Sequence, residues 1–272
     1  MIDLIVSQGR VADRAPRMIE GAARTAQALQ HRYGFGIHAI GRPQPHASDD
    51  WRDSLPQARD TLLGLRDAID RSLRTQPLTV LLSNTCSASL ASLPLVAQTH
   101  PDAVVLWIDA HGDFNTPDTT ASGYLGGMVL AGACGLWDSG HGAGLQPGQV
   151  VLVGARDIDA PEQALLTQAG VRILPPAQVT PQAVLAAIGN APVWVHIDWD
   201  VLEPGHLPAD YVVPNGLYPA QIRALFEAIP AAQLRGIELA EFNASLDETV
   251  NAAALDVILG IVAPVFDRLV RR

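Results

Sequence analysis

Short apolar runs alternate along the chain with longer segments in which apolar residues recur every three or four positions. The runs are Ile2–Val6, Gly36–Ile40, Leu78–Leu82, Val104–Ile108, Val150–Val153, Val171–Leu174, Val193–Ile197 and Leu234–Leu239. Most are unbroken in Val, Ile and Leu, as strands buried on both faces of a parallel sheet must be. Between them, Met18–Gln30 places Ile19, Ala22, Ala23, Ala26 and Leu29 on one helical face, and Leu55–Arg74 does the same with Leu62, Leu65, Ile69 and Leu73. Further helices are expected at Ser89–Gln98, 161–169, 180–188, 219–228 and Val250–Leu269. The alternation predicts a three-layer αβα fold, with an about eight-stranded parallel sheet covered by helices on both faces. No linker, repeat or low-complexity segment interrupts residues 1–272, so a single domain is expected. Two loops stand out: Gly41–Asp50, rich in Pro and His, and Asn115–Gly127, rich in Gly and Thr. A loop as long as the second is usually functional.

Two of the strands run into acids. After Val104–Ile108 come Asp109, His111 and Asp113, and after Val193–Ile197 come Asp198 and Asp200. Residues two apart on extended backbone share a face, so each set converges where its strand ends. Ligands of open parallel sheets bind beyond the carboxyl ends of the strands. Buried carboxylates are costly unless paired, hydrogen-bonded or bound to metal. The pattern therefore predicts a metal site for two ions; the competing reading is a pair of Asp-rich turns that cap helices. Oxygen donors with one imidazole suit Mn²⁺, with Zn²⁺ or Fe²⁺ also compatible. Two such ions would make hydroxide available near neutral pH.

Composition narrows the picture. A net charge of −10 and a pI near 5.1 argue against nucleic acid, which needs a basic face. With 48% hydrophobic residues the chain can bury a large core. Two cysteines, Cys86 and Cys134, are too few for a disulfide framework and fit a reducing cytoplasm. Met1–Leu4 lacks the basic start of a signal peptide, and no run reaches the roughly 18 unbroken apolar residues of a membrane span. The expectation is a cytoplasmic protein with a small-molecule partner and no membrane.

Trp107-Ile108-Asp109-Ala110-His111-Gly112-Asp113-Phe114-Asn115-Thr116-Pro117 resembles the first signature of the arginase (ureohydrolase) family. His196-Ile197-Asp198-Trp199-Asp200-Val201-Leu202-Glu203-Pro204 resembles the second and Glu238-Leu239-Ala240-Glu241-Phe242-Asn243 the third. The resemblance implies a binuclear manganese centre that hydrolyses a guanidino group. It also leaves room for an oligomer. Carried over by position, Asp109 and Asp198 would bridge two Mn²⁺ ions, Asp113 would bind one, and His111 and Asp200 the other. Glu241 would face the substrate guanidinium, an arrangement suited to paired hydrogen bonds. Asn115, Thr120 and Ser122 match the loop that holds a substrate carboxylate. Gly154–Glu162, with Asp157, Asp159 and Glu162, resembles the segment that recognises an α-amino group. An arginine-like amino acid is thus expected rather than a decarboxylated amine.

The chain departs from the family pattern twice. Where the family has Gly-Gly-Asp-His, this chain reads Ser83-Asn84-Thr85-Cys86, so a metal-ligating His becomes Cys86. A thiolate still binds metal but is softer, larger and charged, so one manganese is expected to be held more weakly. A buried inert cysteine is the other reading. In Ser122-Gly123-Tyr124-Leu125-Gly126-Gly127-Met128 the family's proton-shuttling His becomes Gly126, and Tyr124 replaces a small polar residue. Arginine is strongly basic and its departing amine needs a proton, whereas an N-hydroxylated guanidine is less basic. Within the family the resemblance is to members that cleave N-omega-hydroxy-L-arginine to L-ornithine and hydroxyurea in D-cycloserine biosynthesis. The alternatives are an arginase or other guanidino-acid hydrolase, and a non-catalytic binding homologue. His196 shares a face with Asp198 and reads equally as a supporting or a core residue, while His141 and His206 read as exposed loop residues.

Overall fold

Eight parallel strands form one sheet in the computed structural model, which describes residues 2–270; the ends of the expected 1–272 domain, Met1 and Arg271–Arg272, lie outside the described residues. The strands are β1 (Asp3–Ser7), β2 (Gly36–Ile40), β3 (Thr79–Leu82), β4 (Val104–Ile108), β5 (Val150–Val153), β6 (Arg172–Leu174), β7 (Val193–Asp198) and β8 (Leu234–Ala240). Their order is β2-β1-β3-β8-β7-β4-β5-β6. Each expected strand is present, with ends displaced by a residue at most.

The helices are α1 (Met18–Tyr33), α2 (Trp51–Thr75), α3 (Ser89–Thr99), α4 (Val129–Ala133), α5 (Ala160–Ala169), α6 (Pro181–Ile188), α7 (Pro219–Ala228) and α8 (Glu248–Val270). Local chemistry sets their ends. Asp50, Asp159 and Thr180 accept backbone N–H groups at the starts of α2, α5 and α6, and Gly34 and Gly170 close α1 and α5 in the left-handed conformation. Helix α2 starts before the expected Leu55, because Asp50 caps it; Pro56 consequently lies inside the helix rather than at its start. Helix α4 was not expected, since five residues are too few for a periodic signal.

Alternate residues of each strand enter different cores. Leu4, Val6, Leu106 and Ile108 pack with α1, α6, α7 and α8, whereas Ile5, Val105 and Trp107 pack with α2, α3, α4 and α5. This is why the strand sequences are apolar throughout. Helix α8 is long and apolar enough to cross a membrane by length and composition, but half of its most apolar window is buried here. Ile258, Ile261, Val262 and Phe266 join the core with residues of α1 and α7, so its apolarity is that of a core helix.

Candidate metal centre

The four central strands, β3, β8, β7 and β4, deliver the site. Register places Trp107, His196 and Glu238 side by side across β4, β7 and β8. His196 lies flat on Trp107, with 3.6 Å between ring centroids, and its Nδ1 is 2.8 Å from Glu238 Oε2. Ser89 and Ser92 of α3 donate to Glu238. His196 is thus a fully buried, satisfied core residue, and it also supports the site, since its Nε2 lies 3.3 Å from Cys86 Sγ.

Two residues further along β4 and β7, on the same face, stand Asp109 and Asp198. Trp107 Nε1 donates to Asp109 Oδ2 at 3.0 Å. Cys86, in the turn after β3, places Sγ 3.2 Å from Asp198 Oδ2 and 4.0 Å from Asp109 Oδ2. On the other side, His111 Nδ1 is 2.9 Å from Asp200 Oδ2 and 3.4 Å from Asp109 Oδ1. Among the described residues, ligand atoms within 4.8 Å of one another occur in three groups: Cys86–Asp109–His196, Cys86–Asp198–Glu241 and Asp109–His111–Asp200. Asp113 is buried at φ +48°, with Oδ2 lacking a partner.

Such crowding is unfavourable without cations, and the carboxyls respond by holding protons. Burial and neighbouring carboxylates push Asp113, Asp198 and the Cys86 thiol well above their ordinary ranges. Burial lifts Asp200 to about 6, with Asp109 adding to the effect and His111 opposing it. For His111 burial works downward, but hydrogen bonds to Asp109 and Asp200 outweigh it and hold the imidazole far above its usual value. Burial likewise works upward on Asp109, and its bonds to His111 prevail and lower it. An orphaned buried oxygen among converging oxygen, nitrogen and sulfur donors fits divalent metal ions.

Beside these groups opens a cleft of about 250 Å³. Glu241, buried at φ +65° just past β8, stands in its wall; its Oε1 accepts from the Cys86 amide at 2.9 Å and the Tyr124 hydroxyl at 3.1 Å. Burial raises its carboxyl to about 8, against the Cys86 hydrogen bond and with help from Asp13. Asn115, Ser122, Asp157, Asp159 and Glu162 all line the cleft. Asn115 Oδ1 is buried without a partner. Asp159 caps α5, and buried Glu162 accepts the Phe114 amide at 2.7 Å, burial lifting its carboxyl to about 7. Thr120 is not in the lining: its hydroxyl accepts the Gly123 amide at 3.1 Å. His141 and His206 lie away from the cleft, and His141 is buried rather than exposed.

Two lining residues escaped the sequence reading. Arg14 holds the carbonyls of Asp49 and Ser122 at 2.8 and 3.1 Å, tying together the two long loops, and Tyr211 leans on Tyr124. Neither belongs to a periodic pattern or to a strand end, so only the folded chain brings them in.

The arginase family model matches residues 2–262. The chain belongs to the arginase family. The N(omega)-hydroxy-L-arginine amidinohydrolase of Streptomyces lavendulae is 66% identical over 272 residues, covering all of both chains. The arginase of Bacillus caldovelox is 28% identical over 212 residues, covering 72% of this chain and 71% of its own. The arginase of Entamoeba histolytica, solved with L-ornithine, shares the fold with a TM-score of 0.86 at 19% identity, over 97% of each chain.

Proposed function

We propose that this arginase-family chain hydrolyses the amidine carbon–nitrogen bond of N-omega-hydroxy-L-arginine, giving L-ornithine and hydroxyurea. The full-length 66% identity to a hydrolase of that name carries the reading. The site supports it through the departures that part this chain from arginase-like sequences, Cys86 beside Asp198 and Gly126 in the cleft.

Cys86, Asp109, His111, Asp113, Asp198 and Asp200 would hold two divalent ions, which we take to be Mn²⁺. When bound, the pair supplies the acidity that activates water near neutral pH. Glu241 binds the guanidine end: bound divalent cations would favour its charged form, Oε1 is already occupied by two donors, and Oε2 remains to accept a substrate N–H. Asn115 and Ser122 receive the α-carboxylate, and Asp157, Asp159 and Glu162 the α-amino group at the acidic end of the cleft. Asp109 and Asp198 would position the water whose oxygen adds to the guanidine carbon; the bond from that carbon to the ornithine side-chain nitrogen then breaks, and one proton of the water leaves on that nitrogen.

Steady-state assays of the manganese-loaded protein with hydroxyarginine, arginine and N-hydroxyagmatine test this. Hydroxyarginine should give the highest kcat/KM and yield hydroxyurea. Preference for arginine, or absence of turnover with metal bound, would reject it.

A further inference from the structure

Gly126 carries no side chain for a reason that lies in space rather than in backbone conformation. It opens the short 3₁₀ turn Gly126–Met128, and its φ is not positive. A Cβ built there would stand 2.5 Å from Tyr124 Cε1 and 2.8 Å from Cζ, closer than packed carbons approach. The Tyr124 ring therefore occupies the volume into which a residue at 126 would project.

That ring is held on several sides. The Arg14 guanidinium lies 4.9 Å from its centroid and the Tyr211 ring 5.6 Å away. Ser122 Oγ accepts the Tyr124 amide at 3.1 Å, and the phenol donates to Glu241 Oε1 at 3.1 Å. That bond uses the single proton of the phenol. What it offers the cleft is the acceptor side of its oxygen, next to the carboxylate that takes the guanidine.

We propose that Tyr124 is the specificity-determining residue for the N-hydroxyl group, its phenolic oxygen accepting the hydroxyl proton while Glu241 Oε2 accepts a guanidine N–H. The proposal rests on the hydroxyarginine reading above. It requires two acceptors in adjacent positions, one for N–H and one for an O–H that reaches an atom further. Arginine has no such O–H, and the phenol oxygen is then left without a donor in a partly dry site.

Two variants probe it from opposite directions. Tyr124→Phe deletes the hydroxyl, and with it a hydrogen bond to Glu241 that serves both substrates alike, whereas Gly126→Ala pushes the ring from its place without removing a polar group. Each should lower kcat/KM for hydroxyarginine about tenfold or more, mainly through KM, with far less effect on arginine. N-omega-methoxyarginine has no hydroxyl proton to give, so it should be a poor substrate of the parent protein and insensitive to Tyr124→Phe. Thermal unfolding reports whether each variant is folded; if one is not, the other and the methoxy comparison decide. If the parent protein prefers hydroxyarginine but both folded variants keep the parent ratio of hydroxyarginine to arginine, Tyr124 is not the determinant. A methoxy analogue turned over as well as hydroxyarginine would overturn the proposal too. A parent protein that prefers arginine would overturn the functional reading first, and this inference with it.

Discussion

Cys86 touches Asp198 and His196 rather than solvent, so a change there is felt by the whole ligand set. Cys86→His replaces an anionic ligand by a neutral one in a centre already crowded with carboxylates. Manganese affinity should rise, as read by calorimetric titration with elemental analysis; unchanged affinity would mark Cys86 as no ligand. Introducing histidine at 126 is a different matter. Gly126→His alone drives its Cβ into Tyr124, so it should lose activity rather than gain a proton donor. Paired with Tyr124→Ser, which clears the volume, and with Cys86→His, it should raise the ratio of arginine to hydroxyarginine in kcat/KM. The expected gain stays below the ~10²-fold of a well-placed general acid, because a grafted side chain rarely reaches ideal geometry. A ratio that falls in this triple variant would show that the three positions do not set the substrate.

At the scale of elements, the start of α5 does two jobs. Asp159 accepts the Glu162 amide as helix cap and also lines the cleft. Asp159→Asn keeps a capping oxygen but loses the charge, whereas Asp159→Ala loses both and about 1 kcal/mol of stability. KM for hydroxyarginine should rise in both variants, with the melting temperature falling only in the alanine one. The carboxylate loop offers a contrast. Asn115→Ala should weaken the substrate by roughly 10-fold or more, the scale of a lost hydrogen bond to a charged group. Thr120→Ala should change KM little, because the Thr120 hydroxyl serves the Gly123 amide outside the cleft. Equal losses at 115 and 120 would contradict this division. Arg14 lies between elements, and its two carbonyl contacts give the long loops a common anchor that the local sequence does not announce.

For the molecule as a whole, the proton-holding carboxyls make metal-free stability depend on pH. Burial lifts Asp200 to about 6, Glu162 to about 7 and Glu241 to about 8, all above their unfolded values. The folded chain then binds more protons than the unfolded chain between those limits, so stability falls as pH rises. This contribution is complete below roughly pH 4, the range of free carboxylates, and is lost as pH climbs through about 8. Chelator-treated protein should therefore melt at a lower temperature at pH 8 than at pH 6. Added manganese should restore the loss most strongly at pH 8, where fewer protons compete for the ligands. A metal-free melting temperature that rises from pH 6 to pH 8 would refute the linkage.

By itself the sequence determined the strands, the alternation that makes a parallel sheet, and the acids at the ends of β4 and β7, because each is a short-range pattern. An apolar run specifies a doubly buried strand, and residues at alternate positions share a face whatever their neighbours do. The family signatures are local for the same reason. Tertiary structure alone decided what crosses the strands. The register of β4, β7 and β8 set the Trp107–His196–Glu238 row beneath the ligands, and no spacing along the chain encodes it. Chain folding brought Arg14 and Tyr211 to the cleft and moved Thr120 out of its lining. It also revealed that Tyr124 and Gly126, two residues apart in one loop, share a single volume, so that the glycine is explained by the tyrosine's ring. Packing of this kind depends on where side chains end in space, which a linear pattern does not carry.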